Sequence, residues 1–367
     1  MEARQDRLSN RVKWTVLIAL IIAVMGLVIG AAEIAIRVRQ TLRYGSAATV
    51  EDLYTIDRRI GLRVPIANLH SGHIQTNSLG FRGPEIAVPK PAGTVRIAFL
   101  GASTTWCGEV SSNEKVWPHL VAAQLRHAYP KAAIDYVNAG VPGYTVESSI
   151  ANLRHRVAPL QPDVIVIYHA TNDLSGELRD LAVAKGVIRD SKVQTPLWPS
   201  NYSLLWNLAE KNVRVWLAQK KAEANIGRLD VEPRSLGDDF RRELTALVRA
   251  AQQQAKVVAV ATFSTQLRTG QTADQQLQAS ASGLYYMPFM TPAGLLVSYK
   301  RYNEIIAEVA RSTGAVLVGG EDAIPGDRAH FTDTVHFTDA GSQAMADRVS
   351  KALLSTPDVT TLLVPQR

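Results

Sequence analysis

An α/β fold, with a mostly parallel five-stranded sheet between two layers of helices and one membrane-length helix in front of it, is the architecture this sequence predicts. Three observations carry that expectation. Five apolar runs of strand character, at Val95–Leu100, Ile134–Val137, Val164–Tyr168, Val257–Thr262 and Ala315–Val318, are separated or followed by amphipathic helical stretches. Their near-continuous apolarity suits strands covered on both faces, as in a parallel sheet. Ahead of them, the run "WTVLIALIIAVMGLVIGAA", Trp14 to Ala32, holds no charge.

The composition sets bounds on function. A chain of 367 residues that is 46% apolar can bury a substantial core. With Cys107 as its single cysteine it forms no internal disulfide, and its eight histidines show no compact ligand spacing, so neither a metal nor a cofactor is expected. The net charge of +7 is modest and its lysines and arginines are scattered rather than gathered into a stripe. That tolerates anionic lipid or glycan and gives no specific support to nucleic-acid binding.

From the N-terminus, residues 1–13 carry Arg4, Arg7, Arg11 and Lys13, which favour a cytoplasmic start. Residues 14–36 form the transmembrane anchor: at 1.5 Å per residue the uncharged run reaches about 28 Å as a helix, close to the hydrocarbon thickness of a bilayer. The alternative is a signal peptide cut after Ala31 or Ala32, although the run exceeds the usual apolar region of such peptides. Arg37, Arg39 and Arg43 follow the span and weaken the charge bias, but a large domain after one span crosses by default. In a bacterium this places the domain on the periplasmic side of the inner membrane.

Residues 37–93 read as a stalk leading into a membrane-proximal cap, with "TNSLGFRGPE" and its turn glycines Gly80 and Gly83 inside it. The main domain spans 94–356. It contains a helical insert at about 177–235, in which Leu204, Leu205, Trp206, Leu208, Val213, Val215, Trp216 and Leu217 make a broad apolar face. That face suits a helix packed on the sheet or a lid, with a membrane-surface helix as the alternative. A second insert, Thr269–Pro292, carries Tyr285, Tyr286, Met287 and Phe289, which suit either a pocket lining or the core. Phe263, Ser264, Thr265 and Gln266, at the exit of the fourth strand, suit sugar stacking and hydroxyl recognition. Residues 357–367 are left as a C-terminal tail.

A parallel sheet gathers the loops at the carboxyl ends of its strands. Those loops carry "GAST" with Ser103, "NAGVPGY" with Gly140 and "HATND" with Asn172, and "DTVHFTDAG" before the last helix sets Asp333 and His336 three residues apart. A serine hydroxyl needs a base to attack at neutral pH, and an imidazole base needs an acceptor to fix its tautomer. His336 and Asp333 can fill those roles for Ser103. Negative charge on a tetrahedral intermediate needs donors already in place, and the N–H groups of Ser103 and Gly140 with the side-chain amide of Asn172 are available. Each piece has a plain structural reading: a capping serine, a hinge glycine, a turn asparagine, a capped Asp-x-x-His turn. Their co-occurrence, in order, at loops that one sheet collects favours the catalytic reading. His169 and His330 are expected to pack or to face substrate, and Cys107 to be a small buried apolar residue.

At these blocks the chain resembles the SGNH, or GDSL-like, hydrolases, over roughly Val95 to Leu354. Ala102 stands where the eponymous motif has aspartate, and Ala170 replaces a common glycine before the asparagine. The absence of G-x-S-x-G argues against an ordinary α/β-hydrolase elbow. The resemblance implies a three-layer, flavodoxin-like sandwich and a Ser103–His336–Asp333 triad with an oxyanion hole from Ser103, Gly140 and Asn172. The expected activity is cleavage of short acyl, acetyl-like esters on a cell-surface or exopolysaccharide glycan outside the cytoplasm, with polysaccharide-synthesis machinery as a possible partner. Glycan O-acyltransfer, a lipase or thioesterase, and a non-catalytic anchored glycan-binding module are the alternatives.

Overall fold

With no charge or proline to interrupt it, the run Trp14–Ala32 lies within one long helix, α1 (Glu2–Tyr44). Its apolar side chains point outward, Leu27 being 74% exposed, so the helix presents an apolar surface along its length. Among the described residues it is the one helix long and apolar enough to cross a membrane. The structure, a computed structural model, describes residues 2–44, 53–190, 197–225 and 227–364. The expectations for 45–52 of the stalk, 191–196 and 226 of the insert, 365–367 of the tail and the side chains of Arg4, Arg7 and Arg43 lie outside the described residues.

The cap consists of two short antiparallel hairpins, β1 (Tyr54–Asp57) with β2 (Leu62–Pro65), and β3 (His70–Ser71) with β4 (Ile74–Gln75). The main domain then begins with β5 (Thr94–Gly101), the four-residue helix α2 (Ser103–Trp106), α3 (Trp117–Ala128) and β6 (Ala133–Asn138). Next come α4 (Val146–Asn152), β7 (Val164–Tyr168), α5 (Thr171–Ala184), α6 (Leu204–Glu223) and α7 (Asp238–Gln252). The chain closes with β8 (Val257–Ala261), α8 (Ala273–Ala279), α9 (Ala281–Tyr286), α10 (Pro292–Thr313), β9 (Val316–Val318), α11 (Asp339–Leu354) and α12 (Pro357–Leu363).

Strands β6-β5-β7-β8-β9 form one parallel sheet in that order. All residues of β7 and β8 are buried, as the unbroken apolar runs require. Helices α3 and α11 pack together over one face, and α7 and α10, with α4 and α5, cover the other. Helix α7 shows why: Phe240, Leu244, Leu247, Val248 and Ala251 recur at helical spacing and are buried, leaving its charges outside. The one charged side chain inside β5, Arg96, is fully buried and satisfied by Asp135 (2.6 Å) and the carbonyls of Leu160 and Ala87.

Because β5 lies between β6 and β7, the chain turns to β6 on one side and returns to β7 on the other. This reversal opens a crevice at the carboxyl ends of β5 and β7, where Ser103 and Asn172 follow. Two segments differ from expectation. Helix α6 has its main contacts with α9, the turn Trp198–Asn201 and α1, an excursion from the layered fold. The segment read as a tail from 357 opens with α12, whose Val359 and Leu363 are buried in the core.

Candidate active site

Strand β5 delivers the chain to Gly101 and Ala102, and Ser103 opens α2. As the first residue of a helix, Ser103 has an N–H with no acceptor inside that helix. The helix is wedged between two glycines. A Cβ on Gly101 would collide with the Thr105 hydroxyl and lie 2.7 Å from the carbonyl oxygen of Tyr168. One on Gly140 would meet the Trp106 nitrogen at 2.6 Å and the Thr105 carbonyl carbon at 2.8 Å. Gly140 is therefore required by close backbone packing under the turn that carries Ser103.

The carbonyls of this short helix are held from outside it. Trp117 Nε1 donates to the Thr104 oxygen (3.0 Å), Asn138 Nδ2 to the Thr105 oxygen (2.9 Å), and Arg82 Nη1 to the oxygens of Trp106 (3.0 Å) and Cys107 (2.5 Å). Arg82 also reaches Asn113 Oδ1 (2.9 Å) and the His73 carbonyl (3.3 Å), and it is fully buried. The sequence alone gives Arg82, within "TNSLGFRGPE", no role; its signal there is a lone arginine among turn and apolar residues. Asn138 was missed as well. Cys107 ends the helix in a left-handed conformation, φ 58°, and burial pushes its thiol up to about 12, so it is the inert small residue expected.

The Asp-x-x-His turn supplies the next groups. Asp333 Oδ1 accepts the N–H groups of Val335 and His336, both at 2.9 Å, which leaves Oδ2 aimed at His336 Nδ1, 2.9 Å away. His336 Nε2 lies 2.9 Å from Ser103 Oγ. Burial works against both charged forms, but the mutual hydrogen bond and charge outweigh it. The Asp333 carboxyl is held below the usual carboxylate range and the His336 imidazole above the usual histidine range.

Asn172 sits in the first turn of α5 and lines the crevice, with one amide hydrogen on the Tyr144 carbonyl (2.8 Å). The Gly140 N–H is engaged: it donates to Asn138 Oδ1 at 3.1 Å, and Gly140 is buried away from the cavity. Ser103 N–H and the Asn172 amide are the expected donors that border the cavity, and Gly140 reaches an oxyanion only by releasing or sharing its bond to Asn138. Beside Asn172, Asp173 accepts the Val146 N–H through Oδ1 (2.9 Å), while its buried Oδ2 has no partner. Burial pushes this carboxyl up to about 7.

The cavity has a volume of about 660 Å³ and is bordered by Ser103, Asn172 and His336. The cap contributes Tyr54 and Arg63 to its wall, and α9 contributes Tyr286, with Met287 just beyond. Arg63 lies 4.5 Å from the Tyr54 ring centre and donates to the Pro142 carbonyl (2.7 Å). Of the aromatic insert, Tyr286 and Met287 line the cavity, whereas Phe289 is core. The strand-exit residues Phe263, Ser264, Thr265 and Gln266 do not form the expected sugar-binding surface: all four are buried and none borders the cavity, Phe263 being stacked on Tyr168 at 4.8 Å. His169 is buried against Ser149 (2.7 Å) and held low, at about 3, by that burial. His330 pairs with Asp327 (2.8 Å), and neither histidine lines the cavity. Among the described residues no cluster of histidine, cysteine and carboxylate side chains is arranged to hold a metal.

A model of the GDSL-like lipase/acylhydrolase family matches residues 99–344, well over half of the chain. The chain belongs to this family. As a GDSL-like, or SGNH, hydrolase it is a serine hydrolase that acts on esters. Among solved structures it is similar to Axe2, an acetyl xylan esterase from Geobacillus stearothermophilus, at 16% identity over 70% of this chain and 93% of that one, with a TM-score of 0.43. It is also similar to LAE5, an α/β hydrolase enzyme from the metagenome of Lake Arreo, Spain, at 17% identity over 70% and 94%, TM-score 0.41. No curated protein sequence matches it.

Proposed function

We propose that this GDSL-like hydrolase is an anchored extracytoplasmic esterase that removes short acyl groups from a glycan, with Ser103 as nucleophile, His336 as general base and Asp333 as its orienting partner. The observation that carries this reading is the unbroken relay from Asp333 Oδ2 through His336 to Ser103 Oγ, with both bonds at 2.9 Å, at the edge of the cavity. Ser103 Oγ attacks the ester carbonyl as His336 Nε2 takes its proton. The imidazolium is stabilised by Asp333, and the oxygen of the tetrahedral intermediate receives Ser103 N–H and the free Asn172 amide hydrogen. His336 then passes the proton to the leaving alkoxide, which departs as the alcohol and leaves an acyl-serine. Water, deprotonated by His336, attacks that ester in turn; its collapse releases the acid and returns the proton to Ser103. Each pre-set oxyanion donor is worth about 3 kcal/mol of barrier.

Three features support a glycan ester. The cavity wall mixes Tyr54, Trp106 and Tyr286 with Arg63 and Asn172, the combination of aromatic and polar groups that suits a sugar. The cap between the anchor and the domain forms part of that wall, so the site is built next to the membrane-proximal segment. The small residues Gly101 and Ala102 before Ser103 leave room for an ester and do not themselves form a long apolar channel. The domain reading follows: 1–13 inside, 14–36 in the membrane, 37–93 as stalk and cap, and the hydrolase from 94 onward.

Esters of graded acyl length test this reading on the full chain. The expected result is kcat/KM falling steeply from acetyl to octanoyl. A rise with chain length overturns the glycan deacylase in favour of a lipase or thioesterase.

A further inference from the structure

Helix α6 buries little of what it carries. Ala218 and Ala222 are its buried residues, whereas Trp206, Val213, Trp216 and Leu217 are 49%, 54%, 56% and 44% exposed. The steps of seven, three and one residues between these four set them on one helical face, roughly opposite Ala218 and Ala222. Just ahead of α6, Trp198 and Tyr202 are exposed with their rings 5.4 Å apart. The result is an apolar, tryptophan-rich surface of a kind that marks an interaction site.

The anchor fixes where this surface lies. Glu33 is the first charged residue after the uncharged run of α1. Its carboxylate accepts the Ser203 hydroxyl (2.9 Å) and the N–H groups of Leu204 (3.1 Å) and Leu205 (2.9 Å), capping α6 from outside. Arg37, bonded to Glu33 at 2.8 Å, donates to the Tyr202 carbonyl at 2.9 Å. Tyr202 and Trp206 are thereby tied to the point where an α1 span leaves the hydrocarbon, the depth at which tyrosine and tryptophan gather in membrane proteins.

We propose that the face of Trp198, Tyr202, Trp206, Val213, Trp216 and Leu217 rests in the headgroup region of the same bilayer that α1 crosses, making α6 an interfacial helix. This rests on the reading of α1 as a retained anchor. The face is not an acyl lid. The other side of α6 is the one toward the cavity, with Lys211 Nζ 5.9 Å from the Tyr285 ring centre, and α9 lies between α6 and the cavity. The bilayer contact therefore sits one helix behind the cavity wall, and it holds the mouth beside the membrane surface, where a substrate leaving or coating that surface is met.

The test places nitroxide labels on the full chain in phosphatidylethanolamine and phosphatidylglycerol liposomes through V213C and W216C. I22C serves as the reference in the span and K351C as the aqueous reference on α11. Cys107, buried and with its thiol pushed up, stays unlabelled. Retained ester hydrolysis shows that each variant is folded. The expected result is a several-fold higher ratio of oxygen to nickel-chelate accessibility at the α6 sites than at K351C, lying between that site and I22C. Aqueous ratios at α6 with I22C in lipid overturn the interfacial helix alone, and an aqueous I22C overturns the anchor and the inference with it. Shielding from both reagents with dipolar broadening shows a second copy on this face and also overturns it.

Discussion

His336 Nε2 lies 2.9 Å from Ser103 Oγ across a sequence separation of 233 residues. That approach depends on two separate devices: the Asp333 turn that orients the imidazole, and the side chains that fix the short helix carrying the serine. Each can be perturbed by itself.

The pH profile reports on the first. His336 accepts a proton only when neutral, and Asp333 raises its basicity, so kcat/KM should climb through a limb lying above the ordinary histidine value near 6.5. Asp333→Asn removes the charge that favours the imidazolium. The limb should move to lower pH while the plateau falls by about 10⁴-fold. A limb that stays in place would show that another group governs it.

Arg82 tests the second device. Arg82→Ala leaves the Trp106 carbonyl without its buried donor, at about 1–3 kcal/mol for the unsatisfied group, and the Cys107 carbonyl with the long 3.4 Å bond from the Val110 N–H. The variant should unfold at lower denaturant concentration and lose kcat with little change in KM, since the serine is displaced rather than the binding wall. Arg82→Lys, with one ammonium in place of a fork, should recover only part of both. Unchanged kcat in a folded Arg82→Ala variant contradicts a positioning role.

The strands and the order of the site blocks were readable in the sequence because both follow from local pattern. Unbroken apolar runs become buried strands, and a parallel sheet must collect their exits, which brings Ser103 and Asn172 together. The role of Arg82 was not readable, because its partners lie beyond two turns and a strand and only folding makes them neighbours. Phe263 to Gln266 misled for a related reason: a polar, aromatic stretch at a strand exit looks like a binding surface, yet Asn303 and Tyr168 satisfy its backbone within the core. The excursion of α6 depends on Glu33, a contact that no local pattern announces.

Gly140→Ala probes the packing beneath the helix that carries Ser103. The added methyl must push the backbone of Thr105 and Trp106. A loss of about 1–3 kcal/mol in stability is expected, together with a fall in kcat. Equilibrium unfolding and steady-state kinetics on the same preparation check both, and wild-type behaviour in each would remove the close-packing account.

Asp173 predicts a stability effect of definite sign. Its folded value of about 7 lies above the ordinary aspartate value of 3.8, so between those two values the folded state holds a proton that the unfolded state has released. Its contribution is present below the unfolded value and is lost as pH rises toward 7. Asp173→Asn keeps an oxygen for the Val146 N–H and cannot ionise, so its unfolding free energy should show a flatter slope between pH 4 and 7. An unchanged slope places the titration elsewhere.

The central claim, that Ser103 is the nucleophile, is tested most directly by steady-state hydrolysis of an acetyl ester by the full-length Ser103→Ala variant beside wild type, with circular dichroism confirming an intact fold. The account predicts a loss of at least about 10³-fold in kcat/KM. Turnover near the wild-type rate by a folded Ser103→Ala chain would contradict it.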